Sequence, residues 1–313
     1  MNDAWFRKIC TFVFVLLVIF FFFLYVKENW EAVSRFEFTL QTPLFFLSLL
    51  AWTLSYSGFA FLWRRILLGI DPQARISRRE ALKFYMLTEF SKYIPGSIWT
   101  VVSRAYYGKH LNTNRRNVLG ASAIDAVLTT TVMLTVGGVF LLFHFSNTHL
   151  WLVVPVFFFS ALGFIILNPK ILHALINFVF KKFRREPLTH IQLPSHTTIF
   201  LLSLRYGMLY IANAISFFIF VSSITPLELN QLSLVAAAYL LSIGFGVAVF
   251  FAPSGLGVRE GIMTYLLAFV VVTPLPLFIA LFARLWMTLG EVILLGISLT
   301  IANLPRKYTP QEP

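Results

Sequence analysis

The sequence predicts an all-α, polytopic integral membrane protein of about eight crossings, organised as one transmembrane domain over residues 1–313. The first observation is composition: 58% of the residues are hydrophobic and only 12% are charged, far from the balance of a soluble domain. The second is that the apolar residues form runs of the length that a helix needs to cross a bilayer. The third is that Lys and Arg are concentrated in alternate connections between these runs.

The first apolar run, Ile9 to Val26, is predicted to be a retained transmembrane helix. About 20 residues are needed to cross the hydrocarbon layer, and the sequence "YVKENW" that follows the run is a poor signal-peptidase site. The short apolar stretch Gly261–Val272 is expected to complete a crossing together with the residues before it. The further predicted spans are Pro43–Trp63, Val118–Phe143, Leu150–Leu167, Thr198–Val221, Leu232–Ala252 and Pro276–Ala302.

The distribution of cations predicts the orientation in the plasma (inner) membrane. Basic residues precede the first run and follow the last, so both termini are expected in the cytoplasm. The connections "HFSNTH" and "SSITPLELNQ" contain neither Lys nor Arg and are placed outside. The net charge of +12 is therefore attributed to topology and to attraction for anionic lipid, and no nucleic-acid partner is predicted.

A metal or other cofactor is not predicted. The single cysteine, Cys10, excludes a disulfide framework and a cysteine-cluster metal site. The six histidines have no spacing typical of metal ligands.

The stretch "SKYIPGSIWTVVSR", Ser91 to Arg104, interrupts the apolar pattern. The chain reaches it from a basic loop, and the next span also starts on the basic side, so residues 84–104 are predicted to enter the membrane and return. Pro95 and Gly96 leave backbone groups unpaired, which is tolerated at membrane depth only inside protein or beside a wet cavity. The alternative is an amphipathic helix, "EALKFYMLTEFSKY", that lies flat on the membrane and is ended by the Pro-Gly pair.

A second interruption, "FFAPSGLGVREG", repeats this order of Pro, Gly and Arg, and residues 250–262 are predicted to form a second re-entrant segment. Paired broken helices are the usual sequence sign of a transport site, because the N-terminus of a half-helix presents a positive dipole to an anionic substrate. We therefore expect the two segments to wall one polar slot that accepts an anion.

These two motifs, "SKYIPGSIWTVVSR" and about 150 residues later "PSGLGVREG", resemble the membrane domain of the lysylphosphatidylglycerol synthase and flippase family. The family usually has Pro-Gly-Gly where this chain has Pro95-Gly96-Ser97 and Pro253-Ser254-Gly255. The resemblance implies a lipid flippase or translocase whose two broken helices face each other, acting on an anionic phospholipid or a polyprenyl-phosphate-linked lipid. It also implies association with enzymes of envelope-lipid or glycan synthesis.

The resemblance does not imply the synthase reaction. Two-part members attach a soluble aminoacyltransferase domain after the membrane part, whereas this sequence reaches Pro313 soon after its last predicted span. A transporter rather than an enzyme is therefore expected. The sequence has no G-x-x-x-x-G-K-[ST] motif, so transport is expected to be downhill or ion-coupled rather than driven by ATP hydrolysis in this chain.

Ionisable side chains within the hydrocarbon layer cost several kcal/mol unless they are paired or hydrated, and so are default candidates for a substrate path. A guanidinium group can donate two hydrogen bonds to phosphate oxygens, so the arginines among these side chains are candidates for binding phosphate. The alternative interpretation of each arginine is a structural ion pair. The predicted substrate-binding residues are Lys92, Pro95, Gly96, Trp99, Arg104, Asp125, Arg205, Pro253, Gly255, Gly257, Arg259, Glu260, Arg284 and Glu291.

For some of these residues the sequence predicts a specific partner or role. Asp125 and Arg205 lie at similar depth, roughly 10 Å inside the basic ends of their helices, and are expected to be able to pair. Arg284 and Glu291 are seven residues apart on the last helix and are expected to line one groove. The buried carboxylates are alternative proton carriers.

Two other classes of function remain open at this stage. A glycosyltransferase that uses a polyprenyl-phosphate sugar is disfavoured, because such enzymes generally need an acidic pair in an outward loop. The outward acids have no such arrangement: Glu28, Glu31, Glu37 and Glu228. A non-transporting membrane partner of a lipid-modifying enzyme is the other alternative.

Overall fold

The computed structural model describes residues 40–93, 99–108, 111, 113–145, 150–174, 194–249, 255 and 257–303. Every regular element within these ranges is helical. Short 3₁₀ turns lie at Phe90–Tyr93 and Leu229–Gln231. The principal helices are α1 (Thr42–Ile70), α2 (Arg78–Glu89), α3 (Trp99–Tyr107), α4 (Arg115–His144), α5 (Leu150–Ile166), α6 (His196–Ser222), α7 (Leu232–Ala248), α8 (Val258–Leu267) and α9 (Leu275–Asn303).

Five of the described helices are long and apolar enough to cross a membrane, namely α1, α4, α6, α7 with the turn before it, and α9. The helix α5 is apolar but shorter, with 17 residues. The prediction of an all-α polytopic membrane protein is confirmed, and these six helices coincide with six of the predicted spans. The predicted span Ile9–Val26 lies outside the described residues.

Helices α2, α4 and α6 begin at capping residues on the basic side of the predicted topology. The Asn114 side chain accepts a hydrogen bond from the backbone N–H of Arg116, and the Ser195 side chain accepts one from Thr198. Ser77 and Glu80 form a reciprocal capping box at the start of α2. Each cap satisfies backbone donors that the first helical turn leaves without partners. The residue at which each of these helices begins is therefore determined by the local sequence.

Small residues let α4 and α7 approach closely at the centre of the bundle. A Cβ on Gly137 of α4 would lie 2.8 Å from Leu241 Cδ2 on α7, and a Cβ on Gly244 of α7 would lie 2.7 Å from Leu134 Cδ2 on α4. Glycines at helix–helix contacts let the two backbones approach closely, and they are common where helices associate in membranes. The helix α4 also packs against α1, α5 and α6, which makes it the central element of the described bundle.

An aromatic cluster joins α1, α6, α7 and α9. The indole of Trp52 donates to the hydroxyl of Tyr239 at 2.7 Å, and the indole of Trp286 donates to Ser48 at 3.1 Å. Phe217 stacks on Tyr239 with ring centroids 4.8 Å apart. Because each buried polar tip has a partner, the cluster holds these four helices without an unsatisfied group.

The two predicted interruptions coincide with short helices. The helices α2, α3 and α8 have 12, 9 and 10 residues, too few to cross the hydrocarbon layer alone. The helix α2 packs against α1 and α9 and buries Phe84, Tyr85, Met86 and Thr88, while α3 packs against α4. The short helices therefore lie against the bundle, and re-entry into the bilayer stays a prediction. So does the crossing expected around Gly261–Val272, because residues 250–254 lie outside the described ranges.

Candidate functional site

A buried ion-pair chain begins at Arg104 on α3. One terminal nitrogen of its guanidinium donates to Asp125 Oδ2 on α4 at 3.0 Å, and the other donates to Glu89 Oε1 at the end of α2 at 2.9 Å. The Arg104 and Asp125 side chains are almost inaccessible, at 5% and 4%. At this burial, removing one partner would leave an uncompensated charge, so the three residues act as one unit.

Lys92 continues the chain from α2 to α9. Its ammonium lies 2.6 Å from Glu291 Oε1 and 3.6 Å from Glu89 Oε2. Its side chain is 29% exposed, against 6% for Glu291. Glu89 therefore contacts both cations of the first interrupted segment, and the order of contacts is Asp125, Arg104, Glu89, Lys92 and Glu291.

Aromatic groups and serines hold this chain in position. The Tyr206 hydroxyl on α6 donates to Asp125 Oδ1, and the Arg104 guanidinium lies over the Tyr85 ring at 4.8 Å. Ser91 donates to Ser103 Oγ at 2.6 Å, which ties the 3₁₀ turn to α3. The Tyr206 hydroxyl thus serves the second oxygen of Asp125, and the Tyr85 ring faces the Arg104 guanidinium, whose Nε is buried without a hydrogen-bond partner.

A second charged group lies where α8 meets α9. Glu260 Oε2 accepts the backbone N–H of Gly257 at 2.7 Å and so caps its own helix. Its other oxygen pairs with the guanidinium of Arg284 on α9. A carboxylate in the first turn of a helix is also stabilised by the helix dipole, so Glu260 fixes the start of α8 against α9.

Arg259 precedes Glu260 but is bonded differently. Its side chain is partly exposed, its Nε is buried without a hydrogen-bond partner, and one terminal nitrogen contacts Met287 Sδ at 3.5 Å. No carboxylate of the described residues lies within 4.0 Å of it. Arg259 thus differs from Lys92, Arg104 and Arg284, which all have carboxylate partners.

Two glycines allow the end of α7, the turn before α8 and the Arg259 side chain to pack closely. A Cβ on Gly246 of α7 would lie 2.9 Å from Arg259 Cδ, and a Cβ on Gly255 would lie 2.7 Å from Gly246 Cα. Gly255 also has φ +67°, a conformation that other residues rarely adopt. Gly255 therefore allows the turn before α8 to touch the end of α7, and Gly246 leaves space on α7 for the Arg259 stem.

Glu291 connects the two charged groups. It pairs with Lys92 of the first interrupted segment, and it lies within electrostatic range of Arg259 in the second and of Tyr239 on α7. Among the described residues the two groups contain four basic and four acidic side chains, namely Lys92, Arg104, Arg259 and Arg284 with Glu89, Asp125, Glu260 and Glu291.

Comparison with known families identifies the chain. Residues 9–296 match the family described as the lysylphosphatidylglycerol synthase TM region. The chain belongs to this family. The resemblance expected from the two Pro-Gly motifs is confirmed, and membership supports a role related to membrane lipids. No curated protein matches the chain.

Seven of the fourteen predicted site residues of this lysylphosphatidylglycerol synthase-type membrane region lie in the two charged groups, namely Lys92, Arg104, Asp125, Arg259, Glu260, Arg284 and Glu291. Pro95, Gly96 and Pro253 lie outside the described residues, and Trp99 begins α3 without a described side chain. Arg284 and Glu291 each pair from α9 with an interrupted segment, and their lining of one groove stays a prediction.

The expected pairing of Asp125 with Arg205 is wrong. Asp125 pairs with Arg104 and Tyr206, whereas Arg205 is half-buried and forms no ion pair with a described carboxylate. Successive helical residues point about 100° apart, so the neighbour of Arg205, and not Arg205 itself, faces Asp125.

Sequence reasoning missed Glu89 and Tyr206. Glu89 lies three residues before Lys92 at the end of α2, and this acidic–basic spacing on a predicted helix is a signal for an ion pair. Tyr206 had no such signal, because a tyrosine in an apolar helix usually does no more than pack against its neighbours.

A separate cavity of about 580 Å³ lies between α4, α5 and α6. Its described lining is mostly apolar, with His196 at one end and Gly207 and Val132 farther along. It contains none of the predicted site residues. Its apolar walls suit hydrocarbon and not a charged head group, so the charged groups remain the candidate site in this lysylphosphatidylglycerol synthase-type membrane region.

Proposed function

We propose that this protein is a translocase that moves an anionic, phosphate-bearing lipid between leaflets along a groove lined by the two charged groups. The observation that carries the proposal is Arg259, a partly exposed guanidinium with a buried, unbonded Nε and no carboxylate within 4.0 Å among the described residues. A cation at membrane depth is costly unless it is paired or hydrated. The partner that is missing from the described protein is the substrate anion.

A phosphate group fits this partner better than a carboxylate does. The planar guanidinium can donate two parallel hydrogen bonds to phosphate oxygens and keeps its charge in a partly dry site. Lys92 lies on the other side of Glu291 and is the most exposed of the ion-paired cations, at 29%. A phosphate bound at Arg259 therefore has a second cation within the same cluster.

The physical task is to carry a charged head group across hydrocarbon. In this proposal the head group moves through the protein beside α9 while the tails stay in the bilayer, so the charge never enters lipid unaccompanied. The basic starts of α4 and α6 face the cytoplasm of the inner membrane, as the positive-inside rule favours. The lipid is an anionic phospholipid or a polyprenyl-phosphate-linked lipid.

The test is reconstitution into vesicles that contain a fluorescent phosphatidylglycerol, with exposure of the label to a membrane-impermeant quencher followed in time. We expect faster exchange than in protein-free vesicles and a loss of at least about tenfold in Arg259→Ala, because one charge-assisted contact contributes about 1.5–3 kcal/mol. Arg79→Ala is the control, since Arg79 is exposed in the first turn of α2 and lies outside the two charged groups. Exchange at the protein-free rate, or equal exchange in wild type and Arg259→Ala, would refute the proposal.

A membrane partner that holds a lipid for a separate enzyme is the second candidate. The observation that favours it is the family description, which names the membrane region of a synthase. In that case the protein would bind the anionic lipid with the same dependence on Arg259 and would not exchange it between leaflets. Lipid binding and leaflet exchange, measured on the same preparation, separate the two functions.

A further inference from the structure

We infer that Tyr239 on α7 is a specificity-determining residue of the candidate site, whose hydroxyl donates a hydrogen bond to the substrate phosphate at Arg259 in an orientation set by Trp52. This role rests on the proposed function and adds a neutral donor to the cations of the site. The starting observation is a buried hydroxyl whose oxygen has a partner and whose proton has none within the described part of the chain.

The Tyr239 hydroxyl is bonded on one side. Tyr239 is only 3% exposed, and its oxygen accepts the indole N–H of Trp52 at 2.7 Å. A phenolic hydroxyl can donate as well as accept, yet among the residues that the structure describes its proton reaches no acceptor. A buried donor without an acceptor costs free energy, so this proton indicates a ligand that accepts it.

Trp52 determines the direction of that proton. Its indole N–H occupies one lone pair of the hydroxyl oxygen, so the O–H bond points away from the indole. Trp52 is itself closely packed, because a Cβ on Gly290 of α9 would lie 2.7 Å from its ring and Tyr56 stacks on it with ring centroids 4.5 Å apart. Phe217 stacks on the Tyr239 ring at 4.8 Å. The donor is therefore preorganised, which lowers the cost of ordering it when a ligand binds.

One face of α7 leads from Tyr239 to Arg259. Tyr239 and Gly246 are seven residues apart, so they lie on the same face, two turns from each other. Gly246 leaves space for the Arg259 stem, and the Arg259 guanidinium contacts Met287 on α9. Tyr239 lies within electrostatic range of Arg259 and Glu291. The hydroxyl and the guanidinium therefore belong to the same part of the candidate site, where α8 packs against α7 and α9.

A phosphodiester can use both groups at once. Its two charged oxygens can accept the paired N–H groups of a guanidinium and still accept a further donor. The Tyr239 hydroxyl supplies this donor without adding charge, so it responds to the position of a phosphate oxygen as well as to its charge. A site built to hydrogen-bond one ligand group rejects an analogue that lacks the group, because its buried donors are then left unpaired. Tyr239 thus contributes to the choice of a phospholipid over a lipid without phosphate.

Tyr239→Phe tests this contact. The purified full-length protein is titrated by calorimetry with a water-soluble, short-chain phosphatidylglycerol and, in parallel, with the diacylglycerol of the same chains, which lacks the phosphate. We expect wild type to prefer the phospholipid and Tyr239→Phe to lose about tenfold of that preference, as for one hydrogen bond to a charged group. Tyr265→Phe, at an exposed ring of α8, is the matched control and is expected to keep the wild-type preference.

The ratio of the two affinities distinguishes a phosphate contact from a structural role. Tyr239→Phe also removes the acceptor of the Trp52 N–H, so stability is expected to fall. Damage to packing weakens the binding of both lipids and leaves their ratio unchanged, whereas loss of a phosphate contact lowers the ratio. If Tyr239→Phe fails to fold, the infrared C–O band of tyrosine in wild type decides. It is expected to shift on addition of phosphatidylglycerol and not of diacylglycerol, and an unshifted band would overturn the inference.

The outcomes also separate Tyr239 from the proposed function. An unchanged preference in folded Tyr239→Phe would overturn the role of the hydroxyl and leave the proposed function standing. Wild type that binds both lipids equally, or neither, would instead count against the proposed function, and the role of Tyr239 with it.

Discussion

Lys92 donates a 2.6 Å hydrogen bond to Glu291 across 199 residues of sequence. This contact joins the 3₁₀ turn after α2 to the last long helix. Because Glu291 also lies within electrostatic range of Arg259, the same carboxylate relates the two interrupted segments. The candidate site is therefore organised around α9, which supplies a carboxylate close to cations of both interrupted segments.

Arg104→Met is expected to destabilise the protein by about 3–5 kcal/mol, since it leaves Asp125 and Glu89 buried without their cation. Thermal unfolding in detergent measures the change. The double variant Arg104→Met/Asp125→Asn should recover part of the loss, because one of the stranded charges is also removed. Additive losses in the double variant would contradict the buried ion pair.

Tyr206→Phe provides a milder test of the same chain. It removes the hydrogen bond to Asp125 but keeps the ring, and leaves a charged acceptor short of one donor. We expect a loss of about 1–3 kcal/mol, smaller than that of Arg104→Met. Tyr107→Phe, at an exposed ring of α3, should change the unfolding temperature little.

Gly255→Ala is expected to lower both stability and lipid exchange. The residue has φ +67° and its Cβ would lie 2.7 Å from Gly246 Cα, so the strain of about 1–3 kcal/mol would separate α7 from the turn that positions Arg259. Gly261→Ala is the matched control in α8, where a Cβ would meet nothing within 4 Å. Equal behaviour of the two variants in thermal unfolding would refute the close approach.

Asp71, outside the membrane-spanning segments, should give stability a specific dependence on pH. The hydrogen bond from Thr113, aided by one from Asn117, lowers the pKa of Asp71 from its ordinary value of 3.8 despite some desolvation. A lowered folded-state pKa means that the contribution is fully present above the unfolded value and is lost as pH falls through the folded value. Thr113→Val should move the pKa of Asp71 upward, toward its ordinary value.

The check is acid unfolding followed by circular dichroism. Wild type should retain the Asp71 contribution down to lower pH than Thr113→Val, and Asp71→Asn should lack this component altogether. Thr130→Val, whose hydroxyl bonds only within α4 among the described contacts, is the control. An unchanged acid transition in Thr113→Val would show that the hydrogen bond does not stabilise the ionised carboxylate.

The sequence by itself determined six of the spans, the places where short helices interrupt the long ones, and the family. Runs of apolar residues and the alternation of Lys and Arg depend on length and composition, which any helix crossing a bilayer must satisfy whatever its neighbours are. The Pro-Gly motifs likewise mark breaks locally, because the backbone rules for proline and glycine act within a few residues. Arg104, Arg259 and Glu291 could be selected on this basis as charges at membrane depth.

Only the tertiary structure decided which charges meet. The position of Asp125 along its helix predicted its depth, but the partner depends on how α3, α4 and α6 are rotated about their axes, and that rotation is set by packing such as the Gly137 and Gly244 contacts. Depth alone therefore favoured Arg205, whereas packing brought Arg104 and Tyr206 to Asp125. In the same way Glu89 and Glu291 came to share Lys92, because contacts between distant segments depend on the relative placement of whole helices.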